Sequence, residues 1–325
     1  MNVLITGGAG FIGSHLSESL LKNADTRIVA LDDLSTGSRA NLVPFEKTGR
    51  LEFIEGSIGD APLVKQLVSA SDVVYHLAAA VGVRRVLERP LETLESNVLG
   101  THAVLGACAE KGTPVLLAST SEVYGKSSAI PFREDGDSVL GASGKSRWSY
   151  ACSKMLDEFW ALAYRREMGL PVVIARLFNT VGPRQTGRYG MVVPNFVRQA
   201  LHGVPLTVHG DGTQSRCFTH VRDAVRCLEA LVATPEAYGE VVNVGGQQEI
   251  SIGGLAQRVI DLTGSPSPVQ MVPYEQAFEC SLGFEDMKRR VPDTAKLRSL
   301  VGFAPETSTD QILHDVIEDM RTTLK

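Results

Sequence analysis

The 325-residue sequence predicts a doubly wound α/β fold, a mostly parallel sheet with helices on both faces, followed by a smaller C-terminal α/β domain. Three observations carry that expectation. Short, almost wholly apolar runs alternate with longer segments whose apolar residues recur at three and four spacing. A glycine-rich turn joins the first run to the first helical segment. After Phe178 the alternation gives way to loops rich in glycine and proline, such as NTVGPRQTGRYG. Runs apolar on every residue suit strands buried on both faces, and strand–helix alternation is what a parallel sheet requires.

In chain order the strand-like runs are NVLIT (2–6), RIVALD (27–32), LEFIEG (51–56), DVVYHLA (72–78), PVLLAST (114–120) and PVVIARLF (171–178). Between them, FIGSHLSESLLKN, APLVKQLVSA, the stretch 91–111 and SYACSKMLDEFWALAYRREMG have the spacing of amphipathic helices. The first domain is therefore expected over 1–178 and the second over 179–325. HVRDAVRCLEALVAT and GEVVNVGG again read as a helix and a buried strand, so the segment 217–245 is expected to return to the first sheet.

Composition narrows the function. With 43% hydrophobic and 21% charged residues, the chain can bury a full core. A net charge of -5 without basic clustering argues against nucleic acid or an anionic membrane as main partner. The N-terminus lacks a basic leader region and no run reaches the length of a membrane span, which points to the cytoplasm. The five cysteines show no metal or redox spacing, His76 at a strand end reads as packing, and no metal site is expected.

TGGAGFIGSHL places Gly7, Gly10 and Gly13 between strand and helix. Gly7 permits the tight turn, Gly10 lets backbone N–H groups approach a pyrophosphate, and Gly13 lets helix and strand pack closely. Asp32 ends the second strand about twenty residues on, the place of a carboxylate that binds ribose hydroxyls and repels a 2′-phosphate. NAD is favoured over NADP. Tyr150 and Lys154 form a YxxxK pair on one helical face. Lowering a tyrosine by about three units takes ~4 kcal/mol, which a lysine ammonium and an oxidised nicotinamide would supply. ASTSEVYG (118–125) sets Glu122 among hydroxyls at a strand's carboxyl end, where the carboxylate serves either a turn or acid–base chemistry.

With these residues in view, the chain is identified as a member of the extended short-chain dehydrogenase/reductases, in the group that modifies nucleotide sugars. The resemblance spans essentially the whole sequence: the glycine loop, Asp32, HLAA (76–79), Asn97, STSEVYG, Tyr150 with Lys154, RLFNTVGPR (176–184), PLTVHGDGTQSRCFTHVRD (205–223) and RRVPDT (289–294). It implies a Rossmann domain, NAD, a nucleotide-sugar substrate with UDP favoured, and a homodimer formed through a four-helix bundle of 91–111 and the helix near Tyr150. It further implies Thr120, Tyr150 and Lys154 as the catalytic group, with Glu122 and Arg290 as additional candidates. The implied cofactor contacts are Gly7, Gly10, Phe11, Ile12, Gly13, Asp32, Asp33, Ser57, Ile58, Leu77, Ala78, Ala79 and Asn97, joined by Tyr150 and Lys154. The implied substrate contacts are Ser121, Asn179, Arg184, Arg188, Val193, Arg216 and Arg290. In GSIGD, Ser57 replaces the aspartate that often binds the adenine amino group, which leaves Ile58 as the adenine contact.

Reactions of this group begin with oxidation at sugar C4, which makes a C5 proton acidic and turns a C5 carboxylate into that of a β-keto acid. TSE in place of TDE lacks the acid that a 4,6-dehydratase needs, and GDP-mannose dehydratases use NADP. TSEVYG, the FNTxGPR loop, PLTVxGxGxQ and Arg290 resemble UDP-glucuronate decarboxylases, which form UDP-xylose. YACSK and AAAVGV (78–83) lean instead toward UDP-hexose or UDP-hexuronate 4-epimerases. In that branch Arg184 and Arg188 either recognise a uronic carboxylate or are ordinary loop cations. Arg290 either serves C5 protonation or binds phosphate. Decarboxylation leads, 4-epimerisation is the alternative, and a noncatalytic dinucleotide-binding scaffold is disfavoured because the titratable group is complete.

Overall fold

A computed structural model describes residues 1–80, 89–145, 148–187, 190–277 and 286–323. Its main sheet takes β1 (Asn2–Thr6), β2 (Arg27–Asp32), β3 (Leu51–Glu55), β4 (Val73–His76), β5 (Val115–Thr120) and β6 (Val172–Leu177) from the first half. Four short strands follow, β7 (Thr180–Val181), β8 (Leu206–His209), β9 (Ser215–Cys217) and β10 (Thr219–His220), and then β11 (Val241–Val244) completes the sheet. The seven strands run in the order β11-β6-β5-β4-β1-β2-β3 with every pairing parallel. Strand order reverses between β1 and β4, so a crevice opens at their carboxyl ends.

The longer helices are α1 (Phe11–Leu20), α2 (Ala61–Ser69), α3 (Thr101–Lys111), α4 (Ser149–Met168), α5 (Val192–Leu201), α6 (Val221–Val232), α7 (Ile252–Thr263) and α8 (Thr309–Thr323). Side chains alternate across each strand. Val3, Ile5, Leu116 and Val173 therefore meet α1 and α6, while Leu4, Val115, Leu117 and Ile174 meet α2, α3 and α4. Each fully buried leucine contributes on the order of 2 kcal/mol, which makes both faces strongly apolar contacts. The start of α2 is set by Asp60, whose side chain accepts from the Leu63 N–H at 3.1 Å. Strand β3 departs from the both-faces-buried expectation because it is the sheet's edge: Glu52 and Glu55 face water.

The single helix expected over 91–111 is broken into Pro90–Leu94, a π-helical stretch Glu95–Gly100 and α3. The wider π turn carries the buried Asn97 to the backbone of Ala80. Within 217–245, α6 packs on α1, and β11 hydrogen-bonds β6. Leu297 and Ala304 join that same core from farther down the chain. The rest of the C-terminal half builds a second core from α5, α7, α8 and β8, with Phe196, Val208, Leu255 and Leu313 at its centre. Strand β8 pairs with β13 (Val269–Val272), and β9 is flanked by β12 (Glu249–Ser251) and β14 (Arg289–Arg290). No described helix is long and apolar enough to cross a membrane.

Candidate active site

A cleft of about 480 Å³ follows the strand ends from the glycine loop to Arg290. At its first end Gly7 has φ +71° and donates to Leu31 O at 2.8 Å, and a Cβ there would lie 2.8 Å from Ala78 N. A Cβ on Gly13 would lie 2.2 Å from Gly7 O. Only side-chain-free residues let the loop close this tightly and turn the N-terminus of α1 toward the cleft. Asp32 is buried at the end of β2, accepting from Ala9 N at 3.0 Å and Leu34 N at 2.8 Å. Burial pushes its carboxyl up, against the pull of those N–H groups. Phe11, Ile12, Asp33, Ile58, Leu77, Ala78 and Ala79 line the same stretch. A narrow glycine cradle with a carboxylate at the second strand's end fits an adenine dinucleotide.

Two expected cofactor residues are placed differently. Ser57 is exposed and its hydroxyl accepts from Gly59 N at 3.1 Å, so it shapes a turn. Asn97 supports the cleft wall from behind, accepting from Ala80 N at 2.7 Å. His76 sits behind the cleft as well, bonded to Thr6 at 2.7 Å and Thr101 at 3.0 Å, and burial holds it down at about 3.

The second end is built on the start of α4 and the turn after β5. The Thr120 side chain accepts from Glu122 N at 3.2 Å, starting the tight turn Ser121–Tyr124. Enclosure of the Tyr150 hydroxyl raises it, and Glu122 and Asp157 raise it further, while Thr120 and Arg290 oppose them. Lys154, expected to lower Tyr150, is buried with its ammonium 2.8 Å from Asp157 Oδ2. Beneath, Glu158 accepts from Ser119 at 2.5 Å and takes Arg176 in a two-pronged pair at 3.0 and 2.7 Å. The Arg176 guanidinium lies 4.7 Å from the Tyr124 ring centroid, and Tyr124 donates to Asn243 at 2.7 Å. This buried platform fixes β5, β6 and α4 under the reacting end.

Glu122 turns inward. Its Oε1 accepts from Arg290 Nη2 at 2.7 Å, with both side chains about nine-tenths buried (11% and 9% exposed). Arg290 also donates to Asn179 Oδ1 at 3.3 Å, and Asn179, at φ +32°, donates to Cys217 O at 2.8 Å. In the β14–β9 pairing Arg290 stands opposite Arg216, whose charge is met by Asp286 at 2.8 Å. Burial and the neighbouring Arg290 lower Arg216. The ribbon carrying Arg290 is tied to the first half by two backbone bonds of 2.8 Å, Phe132 N to Val291 O and Asp293 N to Phe132 O.

Ser121 lines the cleft beside Glu122. Arg184 lines it too, but its guanidinium points to Glu18 and His15 on α1 and lies 5.8 Å from the Phe45 ring centroid, along the cofactor edge. Arg216 is buried behind Arg290, Val193 belongs to the second core, and Arg188 and residues 81–83 of AAAVGV lie outside the described residues. Sequence reasoning missed Asp157, although its three-residue spacing from Lys154 on one helix was visible. It also missed the Glu158–Arg176 pair, which joins residues 18 apart in sequence through the fold of α4 onto β6.

A family model described as the NAD dependent epimerase/dehydratase family matches residues 3–245. A UDP-N-acetyl-alpha-D-glucosaminuronate decarboxylase of Bacillus cytotoxicus is 44% identical over 98% of this chain and 97% of its own length. UDP-glucuronic acid decarboxylase 1 of Xenopus tropicalis is 35% identical, over 99% of this chain and 73% of its own. The solved UDP-glucuronic acid 4-epimerase from Bacillus cereus, in complex with UDP-glucuronic acid and NAD, superposes with a TM-score of 0.89 at 30% identity, covering 99% of this chain and 100% of that one.

Proposed function

The chain belongs to the NAD dependent epimerase/dehydratase family, and within it we propose that it decarboxylates a UDP-linked hexuronate after transient oxidation at C4, UDP-glucuronate to UDP-xylose being the reading made from sequence. The observation that carries this is the buried Glu122–Arg290 pair beside Tyr150. A 4-epimerase needs no proton carrier at C5, whereas a decarboxylase must protonate C5 after carbon dioxide leaves. The names of the relatives support a UDP-hexuronate, and the 44% identical one adds the 2-acetamido sugar as a substrate to test.

NAD, when bound, supplies a reversible hydride acceptor. The glycine loop and the N-terminus of α1 would hold its pyrophosphate and Asp32 its adenosine ribose. Tyr150, backed by Thr120, takes the C4 hydroxyl proton as C4 becomes a ketone. The C5–carboxyl bond then breaks, carbon dioxide leaves, and its electron pair becomes the C4 enolate. Glu122, at rest the carboxylate paired with Arg290, takes up a proton from solvent, gives it to C5 and returns to the pair, and Tyr150 returns its proton when C4 is reduced.

We place the first domain over 1–178 with 217–245 and the second over the remainder of 179–325, and the protein as a homodimer. Leu91 and Leu99, with Leu156 and Phe159 of α4, expose apolar side chains on the two segments expected in a helical bundle; Leu99 and Phe159 are 62% and 64% exposed. The 4-epimerase reading is favoured by YACSK and by the solved epimerase. The two separate in deuterated water, with UDP-glucuronate and UDP-N-acetylglucosaminuronate as substrates and NMR as readout. Decarboxylation releases carbon dioxide and leaves deuterium at C5; an epimer without deuterium rejects it.

A further inference from the structure

Lys154 and Asp157 are both essentially solvent-free, at 2% and 0% side-chain exposure, and 2.8 Å apart. Asp157 also accepts from Thr101 at 3.3 Å, and Thr101 in turn bonds His76, which bonds Thr6 at the foot of the glycine loop. A buried polar chain thus runs from the cofactor loop through β4 and α3 to the lysine of the catalytic pair. The assigned chemistry does not use Asp157. An aspartate sealed in this position costs desolvation that an apolar residue would avoid, and its contacts bear on the charge of Lys154.

We propose that Asp157 is a positioning residue: it holds the Lys154 ammonium one helical turn from Tyr150, offsets its charge there, and so sets the pH at which Tyr150 can release its proton. The charged and titratable groups around it are Lys154, Glu158 and Tyr150 on α4 and His76 on β4. Glu122 after β5 and Arg290 on β14 face the same hydroxyl from across the cleft. Arg176 neutralises Glu158, and Arg290 meets Glu122. His76 is held neutral by its burial. Asp157 therefore remains the carboxylate that acts directly on Lys154, and removing its charge leaves the ammonium unopposed toward Tyr150.

The test does not depend on which sugar is turned over. The ultraviolet absorbance of tyrosinate is followed against pH in the NAD-loaded protein, with the Tyr150→Phe titration subtracted, for the unmodified chain, Asp157→Asn and Asp157→Glu. Asp157→Asn should move the Tyr150 titration to lower pH by about one unit, a tenfold gain in acidity. Asp157→Glu should restore most of the original midpoint. Asp157→Ser carries the same test should the amide variant fail to accumulate. A folded neutral variant whose Tyr150 midpoint is unmoved, or moves upward, overturns the proposal and leaves Asp157 a packing residue. A failure of the decarboxylase assay would leave this titration unaffected.

Discussion

Glu122→Gln separates what the Glu122–Arg290 pair does for the fold from what it does for chemistry. The substitution keeps size and a carbonyl that accepts from Arg290, but removes the charge and the capacity to take up and release a proton. Breaking a buried pair by removing one partner costs about 3–5 kcal/mol; the retained hydrogen bond places this case near about 3 kcal/mol. Arg290 would then face Arg216, whose own charge is already met by Asp286. At about 2 °C per kcal/mol for a chain of this size, the melting temperature should fall by about 6 °C. The double variant Glu122→Gln/Arg290→Gln, which removes both charges, should recover a large part of that loss. Well below the melting temperature, product formation should drop by at least about 10²-fold, while the absorbance of reduced cofactor still rises on adding substrate, because C4 oxidation is untouched. Melting within about 1 °C of the unmodified protein would refute the buried-pair energetics. Normal turnover with a lowered melting temperature would refute the chemical role and leave the pair structural.

Tyr150→Phe should reduce turnover by at least about 10²-fold with nucleotide-sugar affinity by calorimetry nearly unchanged; activity of the same order as the unmodified protein would mean another group moves the C4 proton. Asp32→Ala should narrow the preference for NAD over NADP, read as the ratio of the two Kd values, and an unchanged ratio would remove Asp32 from the ribose site. Phe159→Glu should convert a dimer to a monomer in sedimentation, whereas an unmodified protein already monomeric at micromolar concentration rejects the proposed interface. His15 is depressed by burial from 6.5 to about 4. The unfolded chain therefore takes its proton first, and stability is lost as pH falls from 6.5 toward 4, by about 2 kcal/mol at pH 5. His15→Gln should flatten the urea-derived stability between pH 7 and 5 by that amount, and an unaltered slope contradicts it.

The strands of the first half were legible because a parallel sheet buried on both faces writes continuous apolar runs, and β2 and Asp32 fall where those runs and the glycine turn place them. The π turn at Glu95–Gly100 was not, since nothing in local periodicity marks one extra residue per turn whose purpose is to aim Asn97 at Ala80. Tyr150 and Lys154 share a helix face and so declare themselves. Arg290 could be placed only by resemblance: its meeting with Glu122 joins positions 168 residues apart through a two-residue strand. Arg184 was readable from sequence only as either a carboxylate contact or a loop cation, because its positive-φ backbone and its approach to Glu18 on α1 come from the fold and not from its sequence neighbours.

The ribbon through Arg290 has a consequence for how reactions diverge on this scaffold. It is fastened to the main body by backbone bonds around Phe132 and to the second half by its pairing with Arg216, so its anchoring does not depend on the side chain at position 290. That position behaves like the variable tooth of a key cut on a fixed blank. Exchanging it changes what meets the oxidised sugar beside Glu122 while the glycine loop, Asp32 and Tyr150 stay as they are, but because a lone buried carboxylate costs about 3–5 kcal/mol, position 122 has to change along with it.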